Sequence, residues 1–232
     1  MRTASLLFVL AFLCPAVVAE DPKGSGDGVQ VLYGGGDLTG WKGRADLWSA
    51  ENGEIVGRTT AENPIDGNTF LIWTGDQPEN FELVAQFKIE SGNSGIQYRS
   101  KIVNEDKFVV GGYQADIDFG NRFAGILYEE KGRGILAQRG QSVTIGADGK
   151  KTPKRFADSA KLAKGIHAGE WNDFRVVAVD NKLQHFINGA MTAEVIDDQS
   201  EKAAKKGVIA LQIHQGPPMV VRFKNIKIRK ID

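Results

Sequence analysis

The sequence predicts an all-β protein built as two antiparallel sheets packed into a sandwich. Apolar and polar residues alternate with a period of two along most of the chain, Gly, Asn and Asp punctuate the runs, and helical periodicity is nearly absent. Period-two alternation marks strands that are half buried, each needing a partner for its apolar face. Many short strands joined by Gly-rich turns meet that need when two sheets face each other.

In chain order, residues 1–19 come first and are not expected to belong to the fold. MRTAS carries one positive charge, LLFVLAFLC is a short apolar core and PAVVA ends in small residues before Glu20, the order of a secretory signal peptide cut after Ala19. The apolar run is too short to span a bilayer, so no membrane anchor is expected, and the mature chain is expected to be exported, to the periplasm or outside the cell. Residues 20–28, containing DPKGSGDG, form a flexible leader, and 29–232 form one domain. FELVAQFKIE (81–90) is the clearest strand, with Phe81, Leu83, Ala85, Phe87 and Ile89 on one side. Similar runs occupy 68–73, 94–100, 111–118, 124–130, 171–180, 182–188, 207–214 and 220–228, with hairpin turns at VDNK (179–182) and ING (187–189). ADSAKLAKG (157–165) can hold two helical turns.

The only cysteine, Cys14, leaves with the signal peptide, so disulfides are excluded and the core must stabilise the protein alone. The 29 basic residues balance 29 acidic ones, which argues against a nucleic-acid partner. A 41% hydrophobic content without long low-complexity tracts excludes a disordered chain.

The second faces of three strands hold the functional signal. Gln97 and Arg99 share a face of SGIQYRS, Gln114, Asp116 and Asp118 share one of GGYQADID, and Gln212 and His214 lie opposite Ile209, Leu211 and Ile213. Ordinary solvent faces carry interchangeable Lys, Glu, Thr and Ser, whereas Gln, Arg, Asp and His have fixed hydrogen-bonding geometry suited to a polar ligand.

LYGGGDLTGWKG (32–43), GNSGIQYRS (92–100), GGYQADID (111–118), GILYEEKGRGIL (125–136), GEWNDFRVVAVDNKLQHFING (169–189) and ALQIHQGPPM (210–219) together resemble the 3-keto-disaccharide hydrolase domain family over about residues 29 to 229. The resemblance implies a concanavalin A-like jelly roll, a ligand on the concave face of one sheet, and action on glycosides whose sugar carries a ketone at carbon 3. Such a ketone acidifies the carbon-2 proton, so a base, a donor or cation for the enolate oxygen and an acid for the leaving oxygen suffice for elimination, with water adding afterwards. A divalent metal is a possible holder of the enolate oxygen. The alternative function is a non-catalytic carbohydrate-binding module.

Within that reading, His214 is the first choice for base or metal ligand, because an imidazole exchanges a proton near neutral pH and the following Gly-Pro-Pro holds it at a rim. Arg99 is assigned to enolate charge or sugar hydroxyls, and Asp116 to orienting His214 or Arg99 or to binding metal. DIDFGN (116–121) is not an EF-hand, since glycine stands at its fifth position and no glutamate closes it at the twelfth. Glu129 and Glu130 point to opposite faces, so one of them, Glu130 by preference, enters the site with Tyr128 or Arg133. No Glu-x-Asp-x-x-Glu strand occurs, which argues against an ordinary glucanase. Gln97, Gln114, Gln212, Tyr128, Glu129, Arg133 and His185 complete the candidate substrate-binding set, although His185, between Leu183 and Ile187, also reads as a core residue. Trp48 and Trp171 read as core anchors, and Trp41 or Trp73 as a sugar platform.

Overall fold

The computed structural model describes residues 28–231, so the signal peptide and nearly all of the leader lie outside the described residues. Seventeen strands and one short helix follow in chain order: β1 (Val29–Tyr33), β2 (Trp41–Lys42), β3 (Trp48–Glu51), β4 (Glu54–Arg58), β5 (Thr69–Trp73), β6 (Phe81–Ser91), β7 (Asn93–Asn104), β8 (Val109–Asp118), β9 (Leu127–Glu130), β10 (Gly134–Ala137), β11 (Gln141–Ile145), β12 (Lys151–Arg155), α1 (Ser159–Ala163), β13 (Asn172–Val179), β14 (Lys182–Ile187), β15 (Ala190–Asp197), β16 (Val208–Ile213) and β17 (Val220–Lys230). They form the expected two-sheet sandwich. One sheet has the order β12-β11-β15-β14-β13-β6-β17-β4-β3, with β1 also on β17. The other runs β10-β9-β8-β7-β16-β5-β2. Every pairing is antiparallel except β11 with β15.

The inner faces supply the core. Phe81, Leu83, Ala85, Phe87 and Ile89 of β6 are all buried, with the charged partners of the alternation outside. They meet Ile96 and Tyr98 of β7, Tyr113, Ala115 and Ile117 of β8, and Leu211 and Ile213 of β16 in one apolar cluster. The β14–β15 turn has positive φ at both Asn188 (49°) and Gly189 (80°), the geometry that matches strand twist in a two-residue hairpin. The helix is a single capped turn, with the Asp158 side chain accepting from Lys161 N at 2.8 Å. β12, KTPKR, lacks alternation because it is an exposed edge, and its charges and Pro153 discourage further pairing.

One irregularity matters for the site. β7 keeps its register with β8 to Tyr98, then shifts before Lys101, with Arg99 at φ 47°. The extra residue is a bulge, which bends the strand and turns the following side chains over. The bend needs close backbone approach, and a Cβ on Gly112 would lie 2.5 Å from Ser100 Oγ and 2.7 Å from its Cα. Gly207, before β16, packs against the Arg99 and Ser100 backbone so closely that a Cβ there would overlap main-chain atoms. Gly207→Ala is therefore expected to destabilise the protein by about 2–3 kcal/mol, lowering the melting temperature by roughly 5–10 °C in a calorimetric scan. An unchanged midpoint would show that the bend has slack.

Candidate active site

The outer face of the seven-stranded sheet carries a pocket of about 380 Å³. Strand alternation brings Gln114, Asp116 and Asp118 of β8 to it, and Tyr128 and Glu130 of β9 beside them. Ile135 of β10, Asn93 at the start of β7 and Asn68 before β5 complete the walls with Phe123 and Ile126 of the β8–β9 connection. His214, one residue beyond β16, stands exposed at the rim.

Beneath the pocket runs a dry hydrogen-bonded row. Ser100 Oγ donates to Gln97 Oε1 at 2.6 Å, Gln97 Nε2 to Gln114 Oε1 at 2.6 Å, and Gln114 Nε2 to Asp116 Oδ1 at 2.5 Å. A side branch runs from Gln114 Nε2 to Gln212 Oε1 at 3.4 Å, and from Gln212 Nε2 to Glu130 Oε2 at 3.5 Å. Gln114 and Gln212 turn their NH2 groups toward carboxylates, so Asp116 and Glu130 are both met as acceptors, while Gln97 donates to Gln114. Asn68 Nδ2 adds a donor to Glu130 at 3.3 Å while its Oδ1 accepts from Gln215 N at 2.9 Å.

Asp116 is only 6% exposed, and burial raises its pKa to about 7. The carboxylates of Asp118 and Glu130 push the same way, and hydrogen bonds from Gln114 and Asn93 pull part of the shift back. Burial, with Glu130 and Asp116 nearby, also raises the Tyr128 phenol. No Lys or Arg lines the pocket. Among the described residues no three of His, Cys, Asp or Glu are grouped as a metal ion would require.

The sequence-derived set thus divides. Gln114, Asp116, Tyr128, Glu130 and His214 meet at the pocket, while Gln97 and Gln212 are fully buried and support it from below. Arg99 does not belong. The bulge turns it to the end of the sandwich, where its guanidinium donates to Glu79 O at 2.6 Å and to Asp180 O at 2.7 Å. Simple alternation put it beside Gln97, but one inserted residue reverses the face. Glu129 and Arg133 are also corrected. They sit at the sandwich end in a buried network with Asp197, Arg133 Nε lying 2.7 Å from Glu129 and Nη2 2.6 Å from Asp197. His185 lies in the inter-sheet core between Tyr98 OH at 2.9 Å and Ile126 O at 3.1 Å, and burial lowers its pKa to about 3, so it stays neutral and meets no ligand.

Trp48 is the core anchor expected, and the other three tryptophans are corrected. Trp41 and Trp73 pack edge to face at 5.4 Å away from the pocket, and Trp171 is half buried under Lys224 rather than a core anchor. Asn68, Asn93, Phe123, Ile126 and Ile135 went unrecognised in the sequence. Asn68 and Asn93 look like turn residues, and the other three like ordinary core.

A two-sheet β-sandwich with a polar, acid-lined pocket on the outer face of one sheet defines the class: a jelly roll. The chain belongs to the 3-keto-alpha-glucoside-1,2-lyase-like domain family, whose model matches residues 28–229. No curated protein matches it. Solved structures share the fold. A candidate glycosyl hydrolase from Parabacteroides distasonis is 20% identical with a TM-score of 0.59, covering 88% of this chain and 99% of its own. A second from the same organism is 22% identical with a TM-score of 0.58, covering 88% and 95%. The carbohydrate binding module CBM66 from Bacillus subtilis is 12% identical with a TM-score of 0.54, covering 82% and 96%.

Two outcomes follow from this geometry. Arg99→Ala should cost about 2–4 kcal/mol in denaturant unfolding, since it strands main-chain carbonyls without removing a pocket group. For Asp116 the folded pKa lies above the unfolded value near 3.8, so the wild type loses stability as pH rises from about 4 to 7. Asp116→Asn should remove a slope on the order of 1 kcal/mol per pH unit in that window, and parallel pH profiles for the two proteins would refute the assignment.

Proposed function

We propose that this protein is an exported enzyme that cleaves 3-keto-glycosides by elimination and hydration. The observation that carries the reading is the buried carboxyl of Asp116, set near neutrality inside a pocket of the matched domain. A base poised near the working pH is half ionised and strong enough to take an acidified carbon–hydrogen proton.

In this mechanism the Asp116 carboxylate takes the carbon-2 proton, and the electron pair of that bond forms the enolate with the carbon-3 oxygen. The Tyr128 hydroxyl donates to that oxygen. The enolate then expels the substituent at carbon 1. The carbon–oxygen bond breaks to leave an enone, and the departing oxygen takes a proton from His214 at the open rim. Water adds to carbon 1 of the enone, giving its proton back to His214, and carbon 2 is reprotonated by Asp116, which yields 3-keto-sugar and free aglycone and restores both groups. Glu130, held by Asn68 and Gln212, accepts a sugar hydroxyl and directs the water. Export rests on the charged, apolar, small-residue order of residues 1–19.

The test is to incubate purified protein with a 3-keto-glucoside and follow free 3-keto-glucose. Turnover is expected, with kcat/KM rising through an apparent pKa near 7 and falling by about 10²–10⁴-fold in Asp116→Asn. His214→Ala should lose most with a poor leaving group and least with a phenolate, which departs unassisted. Binding of plain oligosaccharide without turnover of any keto-glycoside would instead mark a carbohydrate-binding module.

A further inference from the structure

The segment that carries His214 leaves β16 with little to hold it. Ile213 is the last residue in register, opposite Thr69 of β5, and Pro217 and Pro218 have no N–H to donate. The chain is caught again at Pro218, whose carbonyl accepts from Ser91 Oγ at 3.2 Å. Among the described residues, one hydrogen bond ties the intervening residues 214–217 to the rest of the fold. Gln215 N donates to Asn68 Oδ1 at 2.9 Å.

That bond dictates how Asn68 is turned. A backbone N–H can only donate, so the amide oxygen faces Gln215 and the NH2 group faces Glu130, 3.3 and 3.4 Å from its two carboxylate oxygens. Gln215 in turn presents its carbonyl to the ring of His214, 2.5 Å from Nδ1. A carbonyl can only accept, so Nδ1 carries the hydrogen and the neutral ring keeps its lone pair on Nε2. Nε2 has no protein partner among the described residues, and it is the ring nitrogen left for the pocket that His214 lines.

We propose that Asn68 is a positioning residue that sets the tautomer of His214. It clamps Gln215, and Gln215 O then selects the Nδ1–H form, so that Nε2 is the atom that gives a proton at the rim and takes one back. Asparagine suits the position because it offers an acceptor to Gln215 N and a donor to Glu130 from one short side chain. Aspartate would keep the acceptor but set a second carboxylate against Glu130, and alanine would supply neither group. The use of Nε2 on a leaving oxygen rests on reading the pocket as a keto-glycoside site, whereas the tautomer rests on the hydrogen bonds alone.

The tautomer is read by long-range proton–nitrogen NMR correlation of the histidine rings at about pH 8.5, where imidazole is neutral. The chain has three histidines, and His185, held in the core between Ile126 O and Tyr98 OH, serves as the internal control for folding. Wild-type His214 should show a protonated Nδ1 and a bare Nε2. Asn68→Ala should move it toward the Nε2–H form that an unconstrained histidine side chain favours, with His185 unchanged. The same variant should lower kcat on an alkyl 3-keto-glucoside by about tenfold or more, with a smaller loss for a phenolate leaving group. Asn68→Asp should keep the wild-type tautomer. The proposal is overturned by a wild-type His214 in the Nε2–H form, by an unmoved tautomer or full kcat in folded Asn68→Ala, or by loss of the Nδ1–H form in Asn68→Asp. Should Asn68→Ala not fold, the wild-type and Asn68→Asp spectra decide. The expected spectra without turnover of any keto-glycoside would sink the enzyme reading and leave the clamp standing.

Discussion

Amides buried on the outer side of a sheet are the constraint on which this structure turns. Gln97, Gln114 and Gln212 are 0–2% exposed on a face that ordinarily meets water. A buried amide left unpaired costs about 1–3 kcal/mol, so each must find partners, and each finds the next. Beside them the β7–β8 hairpin, bent by the bulge at Arg99 with glycine at 112 and 207, folds over the apolar cluster of Phe70, Ile72, Val110, Val208 and Ala210. Burial also raises Asp116 toward neutrality.

The arginines are used at the periphery of the sandwich. Arg99 and Arg139 are held by main-chain carbonyls, and Arg133 by Glu129 and Asp197, whose carboxylates raise it further above its usual range. Tyr113 OH joins that network by donating to Asp197 at 2.6 Å. Buried ion pairs of this kind roughly break even in stability while holding loops to one arrangement. With the cations spent there, the pocket keeps an acidic lining in which Tyr128 is a neutral donor.

Much of the architecture was legible along the chain because alternation is a local property. β6, β13, β14 and β16 announce their buried faces residue by residue, and Asn188–Gly189 announces its turn through the positive φ that those residues tolerate. The family blocks made the jelly roll legible too. Gln114, Asp116, Tyr128, Glu130 and His214 could be found because each lies on a strand, or at its end, where parity still holds. The short strands β10, β11 and β12 lacked enough pattern to be seen.

Parity failed where the chain departs from it. Nothing local to SGIQYRS reveals that one residue is inserted at Arg99, since the bulge is set by contacts with Gly112 and Gly207, which lie 13 and 108 positions further on. His185 reads equally well as ligand or core until Tyr98 and Ile126 arrive from the facing sheet to satisfy both ring nitrogens. Asn68 and Asn93 reach the pocket through strand order, which is non-local. The sequence thus determined which residues could be polar neighbours on a face. Long-range packing chose which of them meet, how dry they are, and therefore which carboxyl has its pKa raised toward neutrality.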